Sequence, residues 1–200
     1  TAFEIGLLTE DNLPSYHREI AVRFGRDGAW GTWVHRWTAE EGRHGIAIRD
    51  YLLATRAVDP VALEQARMTH MSAGFANAYG DQTALHGVAY VSFQELATRV
   101  SHRNTGRISG DPVCDQLLAR VAADENLHMV FYRDMLAEAM KVDPSAAVCA
   151  IADEIEAFQM PGAGLGLIWL DGRAMGSAEG HDAHGATEGA MSVRYGTFDR

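Results

Sequence analysis

The chain has 200 residues and a mass of 21.8 kDa, a length for one domain or one domain with an appendage, and a core of that size needs no disulfide staples. A composition of 47% hydrophobic and 22% charged residues excludes a disordered chain, and a formal net charge of −10 argues against nucleic acid as the main partner, because phosphate binding needs a basic surface. Cys114 and Cys149 make no scaffold, zinc motif or CxxC pair, which favours a reducing compartment, and no apolar run approaches the roughly 20 residues of a membrane span.

Most of the chain reads as helix, with expected segments near 2–24, 29–57, 60–72, 83–102, 112–141 and 144–159. The first carries the stripe Phe3, Leu7, Glu10, Ile20, Phe24. Pro14 cannot donate to the carbonyl of Glu10, so a bend or break is expected there. After the break Gly25-Arg26-Asp27-Gly28, the second segment sets Trp30, Trp33, Val34, Trp37, Ile48 and Leu52 on one face, and Glu41 and His44 fall on that face. Asp59-Pro60, Asp111-Pro112 and Asp143-Pro144 read as N-caps followed by proline at the first helical position. Asn77 to Asp81 and Asn104 to Gly110 read as loops by their Gly, Asn and Ser content. Between those loops run Val88, Val91, Glu95 and Thr98 at helical spacing. In the fifth segment Val113, Leu117 and Val121 lead to Glu125 and His128, then Tyr132 and Leu136. Residues 162–200 hold nine of the twenty glycines and one short apolar run, Leu165 to Leu170, and read as a loop-like tail of unassigned role.

Ionisable groups on a buried stripe are costly unless paired or bound to a metal. Here they recur in a pattern. Ala39-Glu40-Glu41-Gly42-Arg43-His44 matches Ala123-Asp124-Glu125-Asn126-Leu127-His128, both Ala-acid-Glu-x-x-His. Residues three apart share a helix face, so each Glu/His pair can reach one point. Each pair has a lone upstream glutamate, Glu10 at 31 residues before Glu41 and Glu95 at 30 before Glu125. A Glu on each of two helices plus Glu-x-x-His on each of two others is the di-iron or di-manganese carboxylate pattern of four-helix bundles. Two divalent cations cancel four crowded carboxylates, and a mixed oxygen/nitrogen shell without thiolates suits iron better than structural zinc. Without metal the carboxylates repel, so some must hold protons, and Glu41→Gln is expected to leave the metal-free form as stable or more stable. The expected architecture is all-α, a ferritin-like four-helix bundle with a di-iron carboxylate core plus additional helices.

Several stretches resemble the soluble acyl-carrier-protein desaturases, with the short actinobacterial members most similar. They are Leu8-Thr9-Glu10-Asp11-Asn12-Leu13-Pro14-Ser15-Tyr16, Trp37-Thr38-Ala39-Glu40-Glu41-Gly42-Arg43-His44-Gly45, Ser92-Phe93-Gln94-Glu95 with Ala97-Thr98, Ser101-His102 and Asn104-Thr105, and Ala122-Ala123-Asp124-Glu125 with His128. The resemblance covers about residues 5–162. It implies that Glu10, Glu41, His44, Glu95, Glu125 and His128 are the six ligands of two iron ions, with Glu41 and Glu125 bridging. It also implies that Thr98 lies beside the oxygen site as a catalytic residue and that Asp124 supports a ligand histidine. Trp33 and Trp37 match buried tryptophans, read here as core packing, and Glu40 reads as a solvated neighbour of its ligand. Residues 1–161 are then a desaturase core, shortened at its N-terminus because nine residues precede Glu10 where family members carry further helical chain. Residues 162–200 do not resemble the family.

The implied function is the introduction of a cis double bond into a carrier-bound fatty acyl chain, with Fe2+/Fe3+ at the centre, O2 as co-substrate and two electrons from a ferredoxin-type donor. The expected partners are an acyl carrier protein and a second copy of the chain, and the expected location is the cytoplasm. Acyl carrier proteins are acidic, as is this chain, so docking needs a local basic patch, for which Arg99, His102, Arg103 and Arg107 are the candidates. The rival readings are a ferritin- or rubrerythrin-like iron-binding or peroxide-handling protein, and a desaturase relative without activity.

Overall fold

The computed structural model describes residues 2–74 and 83–159, with the strand residues 168–170 and 173–175. Among the described residues seven helices follow in order: α1 (Ala2–Asp11), α2 (Leu13–Phe24), α3 (Gly28–Ala54), α4 (Pro60–Ala73), α5 (Ala84–Ile108), α6 (Pro112–Val142) and α7 (Pro144–Ala157). The chain divides into two compact units, Thr1–Gly162 with all seven helices and Ala163–Arg200. In the second unit β1 (Ile168–Leu170) pairs antiparallel with β2 (Arg173–Met175), Trp169 opposite Ala174, where the composition suggested loop. The expected loop at Asn77 to Asp81 lies outside the described residues.

Proline and aspartate set the helix starts. Asp59, Asp111 and Asp143 each accept from backbone N–H groups of the helix that their proline opens. The expected break near Pro14 falls two residues earlier, at Asn12. Pro14 belongs to the first turn of α2, where its missing N–H costs nothing. Asn12 holds the join: its backbone N–H donates to the Thr9 carbonyl at 3.2 Å, and its side-chain Nδ2 donates to the Gly74 carbonyl at 3.2 Å. α1 is thereby a separate helix that ends one residue after Glu10.

Asn104 to Ile108 is helical, against the loop reading, because packing overrides composition. Arg103 donates from Nη1 to Asp115 Oδ1 at 2.9 Å, and Gly106 lies so close to α6 that an added Cβ would stand 3.1 Å from the Asp115 Cα. A residue without a side chain lets α5 and α6 approach that closely with no shift of either helix. α5 ends at Ile108, and two residues further on the chain turns at Gly110, whose φ of 69° is the left-handed conformation glycine tolerates.

Two apolar layers frame the middle of the bundle. One joins Leu7, Ile48, Leu52, Leu63, Cys114 and Leu118. The other end is filled by Val88, Ala89, Tyr132 and Leu136, with Ile20, Val34 and Trp37 beside them. Along α3 and α6 the Glu-x-x-His segments lie between these layers.

α1 is fastened by charge as well as by Leu7. Asp11, with 7% of its side chain exposed, binds Arg49 of α3 and Arg67 of α4. Asp11→Ala leaves the partly buried Arg49 without this counter-ion and Arg67 with Glu64 alone, and is expected to cost about 2–3 kcal/mol, between a surface and a fully buried pair. A chemical denaturation curve checks this; a loss under about 1 kcal/mol, the worth of a surface ion pair, would show that the network is ornamental.

Candidate metal centre

Glu10 comes from α1, Glu41 and His44 from α3, Glu95 from α5, and Glu125 and His128 from α6. All six are buried. They form two groups of four, Glu10–Glu41–His44–Glu125 and Glu41–Glu95–Glu125–His128. Within each, one ligand atom per residue lies within 4.8 Å of the others. Glu41 and Glu125 belong to both groups, the placement required of bridging carboxylates.

Acids outside the cluster orient the two histidines. His44 Nε2 stands 3.2 Å from Asp124 Oδ2, and His128 Nε2 stands 3.0 Å from Glu40 Oε2. A carboxylate there can only accept, so each ring carries a proton on Nε2 and turns Nδ1 inward. An arginine sits behind each acid: Arg43 Nη2 is 3.5 Å from Asp124 Oδ2, and Arg36 Nε is 3.2 Å from Glu40 Oε1. The repeat seen in sequence thus continues in space, crossed over, since the acid beside each glutamate serves the histidine of the other half. Glu40 is therefore no solvated bystander, and it was missed because the helix that receives it is 88 residues away.

Trp37 also exceeds its packing role, for its Nε1 donates to Glu95 Oε1 at 3.2 Å. Trp33 donates from Nε1 to the Tyr132 hydroxyl at 3.2 Å and stacks on Phe131. The buried hydroxyl of Thr98 turns back on its own helix, 3.1 Å from the carbonyls of Gln94 and Glu95. His102 is not a surface residue. It is buried, with Nε2 3.0 Å from Glu10 Oε1. Its spacing of seven from Glu95, which puts both on one helix face, was the available signal. Arg99, Arg103 and Arg107 do share one feature, an open groove of about 550 Å3 floored by Ala119, Ala122 and Ala123.

The electrostatics show a site short of positive charge. Burial pushes the Glu95 carboxyl up to about 8, helped by the charge of Glu41, and burial with Glu41 and Glu95 raises Glu125 well above the usual range. Burial opposes ionisation of Glu10 as well, but hydrogen bonds from His102 and His44 outweigh it and hold that carboxyl at about 2. Burial disfavours the charged forms of His44 and His128, yet the facing carboxylates raise both. Glu41 Oε1, Glu95 Oε2 and both Nδ1 atoms are buried without a well-aligned hydrogen bond, although Glu41 Oε1 faces His128 Nδ1 at 2.8 Å. Four buried atoms facing one another in one carboxylate cluster without well-aligned hydrogen bonds are what a pair of divalent cations would satisfy.

A helical bundle with paired Glu and Glu-x-x-His ligands belongs to the ferritin-like carboxylate class. The model of the family described as fatty acid desaturase matches residues 3–171. A Mycobacterium tuberculosis protein named as the acyl-[acyl-carrier-protein] desaturase DesA1 is 57% identical over 162 residues, covering 78% of this chain and 48% of the relative. The stearoyl-[acyl-carrier-protein] 9-desaturase 6 of Arabidopsis thaliana is 36% identical over 157 residues, covering 74% of this chain and 40% of the relative. The crystal structure of DesA2 from M. tuberculosis superposes with a TM-score of 0.58 at 29% identity, covering 77% of this chain and 58% of that one. The chain belongs to the fatty acid desaturase family. It spans about half the length of the curated relatives it matches.

Proposed function

We propose that this chain carries the di-iron centre of an acyl-[acyl-carrier-protein] desaturase. The observation that bears this reading is the pair of four-residue groups sharing Glu41 and Glu125, buried and packed against one another without well-aligned hydrogen bonds at four of their inward atoms. Glu10, Glu41, His44 and Glu125 would hold one iron, and Glu41, Glu95, Glu125 and His128 the other. Bound there, the irons would supply the O2-dependent oxidation that unactivated methylenes need, which no side-chain base provides. Two electrons and two protons from the C–H bonds, with two electrons from a ferredoxin-type donor and two protons from solvent, would reduce O2 to two waters, and the acyl chain would leave with a cis double bond.

The protein's own share is positioning and exclusion of water. Asp124 and Glu40 fix the histidine rings, and Trp37 holds one oxygen of Glu95. Thr98, one turn beyond Glu95, is the group suited to passing a proton near the oxygen site. The apolar layers above and below keep the centre dry. A homodimer working in the cytoplasm on an acyl carrier protein completes the proposal, with the Arg99–Arg103–Arg107 groove as the basic feature facing an acidic carrier. No described helix is long and apolar enough to cross a membrane.

The test is product analysis. Iron-loaded protein incubated with O2, a reductant, ferredoxin and stearoyl carrier protein is expected to yield an acyl group lighter by two hydrogens in mass spectrometry. Oxidation of iron, or consumption of peroxide, with the acyl group unchanged would instead support the iron-storage or peroxide-handling class.

A further inference from the structure

Glu10 and Glu95 occupy equivalent places in the repeat, but the chain holds them differently. Glu95 lies in the middle of the 25-residue α5, its backbone locked by helix on both sides. Glu10 lies in the last turn of the 10-residue α1, and Pro14 cannot donate to its carbonyl. A carboxylate on so short a stem needs an anchor on its side chain. Glu95 receives one from Trp37 Nε1 at 3.2 Å, and Glu10 receives one from His102 Nε2 at 3.0 Å. In both cases the donor sits on another helix and grips Oε1, and the other oxygen turns to the cluster: Glu95 Oε2 is 3.5 Å from His128 Nδ1, and Glu10 Oε2 is 3.8 Å from His44 Nδ1.

We propose that His102 is the positioning residue of the Glu10 half of the centre, holding Glu10 by one oxygen so that the other is offered to a single metal. This rests on the metal reading above. Its consequence is an asymmetry that the ligand repeat does not contain. The metal position bounded by Glu10, Glu41, His44 and Glu125 depends on His102, and the position bounded by Glu41, Glu95, Glu125 and His128 depends on Trp37. Losing an outer hydrogen-bond partner of a ligand typically costs ten- to a hundredfold in metal affinity. Loss of His102 should therefore weaken one of the two metals and spare the other.

The experiment uses the whole chain and Co(II), a redox-stable substitute for Fe(II), titrated anaerobically and followed by absorption and by calorimetry. Wild type is expected to take two Co(II) per chain. His102→Leu is expected to keep one at wild-type affinity and bind the second about ten- to a hundredfold more weakly. His102→Gln places an amide nitrogen near the position of Nε2 and should restore the second site. His102→Asn is too short to reach Glu10, should behave like the leucine variant, and decides the matter if that variant fails to fold. Two unchanged Co(II) affinities in the Leu or Asn variant, equal weakening of both sites, or no restoration by Gln would overturn the proposal, even if the metal-free melting temperature falls. Failure of wild type to bind two Co(II) would instead defeat the metal reading itself.

Discussion

A Glu125→Gln variant is expected to melt, free of metal, at or above the wild-type temperature, and to lose the stabilisation that metal gives the wild type. Glu125 is buried between Glu41 and Glu95, and burial with their charges raises its carboxyl well above the ordinary range. In the metal-free protein it is pushed toward the neutral acid, which glutamine imitates in shape and charge. Metal at a hundredfold excess over its dissociation constant should stabilise the wild type by about 2.7 kcal/mol, a shift of about 5–10 °C for a chain this long. The variant, short of a shared ligand, should show little of it. Glu41→Gln should behave differently. Glu41 Oε1 is 2.8 Å from His128 Nδ1 and Oε2 is 3.6 Å from His44 Nδ1, and both histidines are pushed toward their charged forms. Glu41 is their counter-ion, so its replacement is expected to cost the metal-free form about 3–5 kcal/mol. Melts of the three proteins, with and without anaerobic ferrous iron, compare these outcomes. A large metal-free loss in Glu125→Gln would mean that this carboxylate is a structural ion-pair partner.

The sequence alone expected the opposite of Glu41, and the reason marks the limit of its legibility. Crowding of four carboxylates is readable from the repeated Ala-acid-Glu-x-x-His and its upstream glutamates, because helical period places those side chains on one face. Which carboxylate faces which imidazole is a matter of how α3 and α6 are set against each other, and no spacing encodes that. The same holds for Glu40 with His128 and for His102 with Glu10, pairs separated by 88 and 92 residues. Helix starts were legible through Asp-Pro, a local signal. The extension of α5 through Ile108 was not, because Gly106 serves an interhelical contact and imitates a loop residue.

Metal loading near pH 7 is expected to release more than two protons per chain. Four groups must give up a proton to become ligands: Glu95, held at about 8, Glu125, raised well above its usual range, and His44 and His128, both raised by the facing carboxylates. The same shifts set the pH dependence of the metal-free fold. Glu95 and the two histidines bind protons more tightly folded than unfolded, so stability falls as pH rises from about 5 through 8. Glu10, held at about 2, acts in the other direction, its contribution being lost as pH falls below about 4.5. Stability without metal should therefore peak near pH 5. With metal in fixed excess, rising pH favours binding, and the slope between about pH 5 and 8 should reverse. Calorimetry in buffers of different ionisation enthalpy counts the protons, and melts across pH give the slopes. Release of one proton or none, with parallel slopes, would contradict the assigned protonation.

On the proposed reading, four helices of this chain bring six side chains around two metal ions. Anaerobic loading with Fe(II), removal of unbound iron and counting of iron per chain, followed by Mössbauer spectroscopy after exposure to O2, tests it most directly. Two irons per chain in wild type, giving a coupled diferric spectrum that is absent from Glu125→Gln, is the predicted result. One iron or none, or two irons retained with an unchanged spectrum in Glu125→Gln, would contradict it.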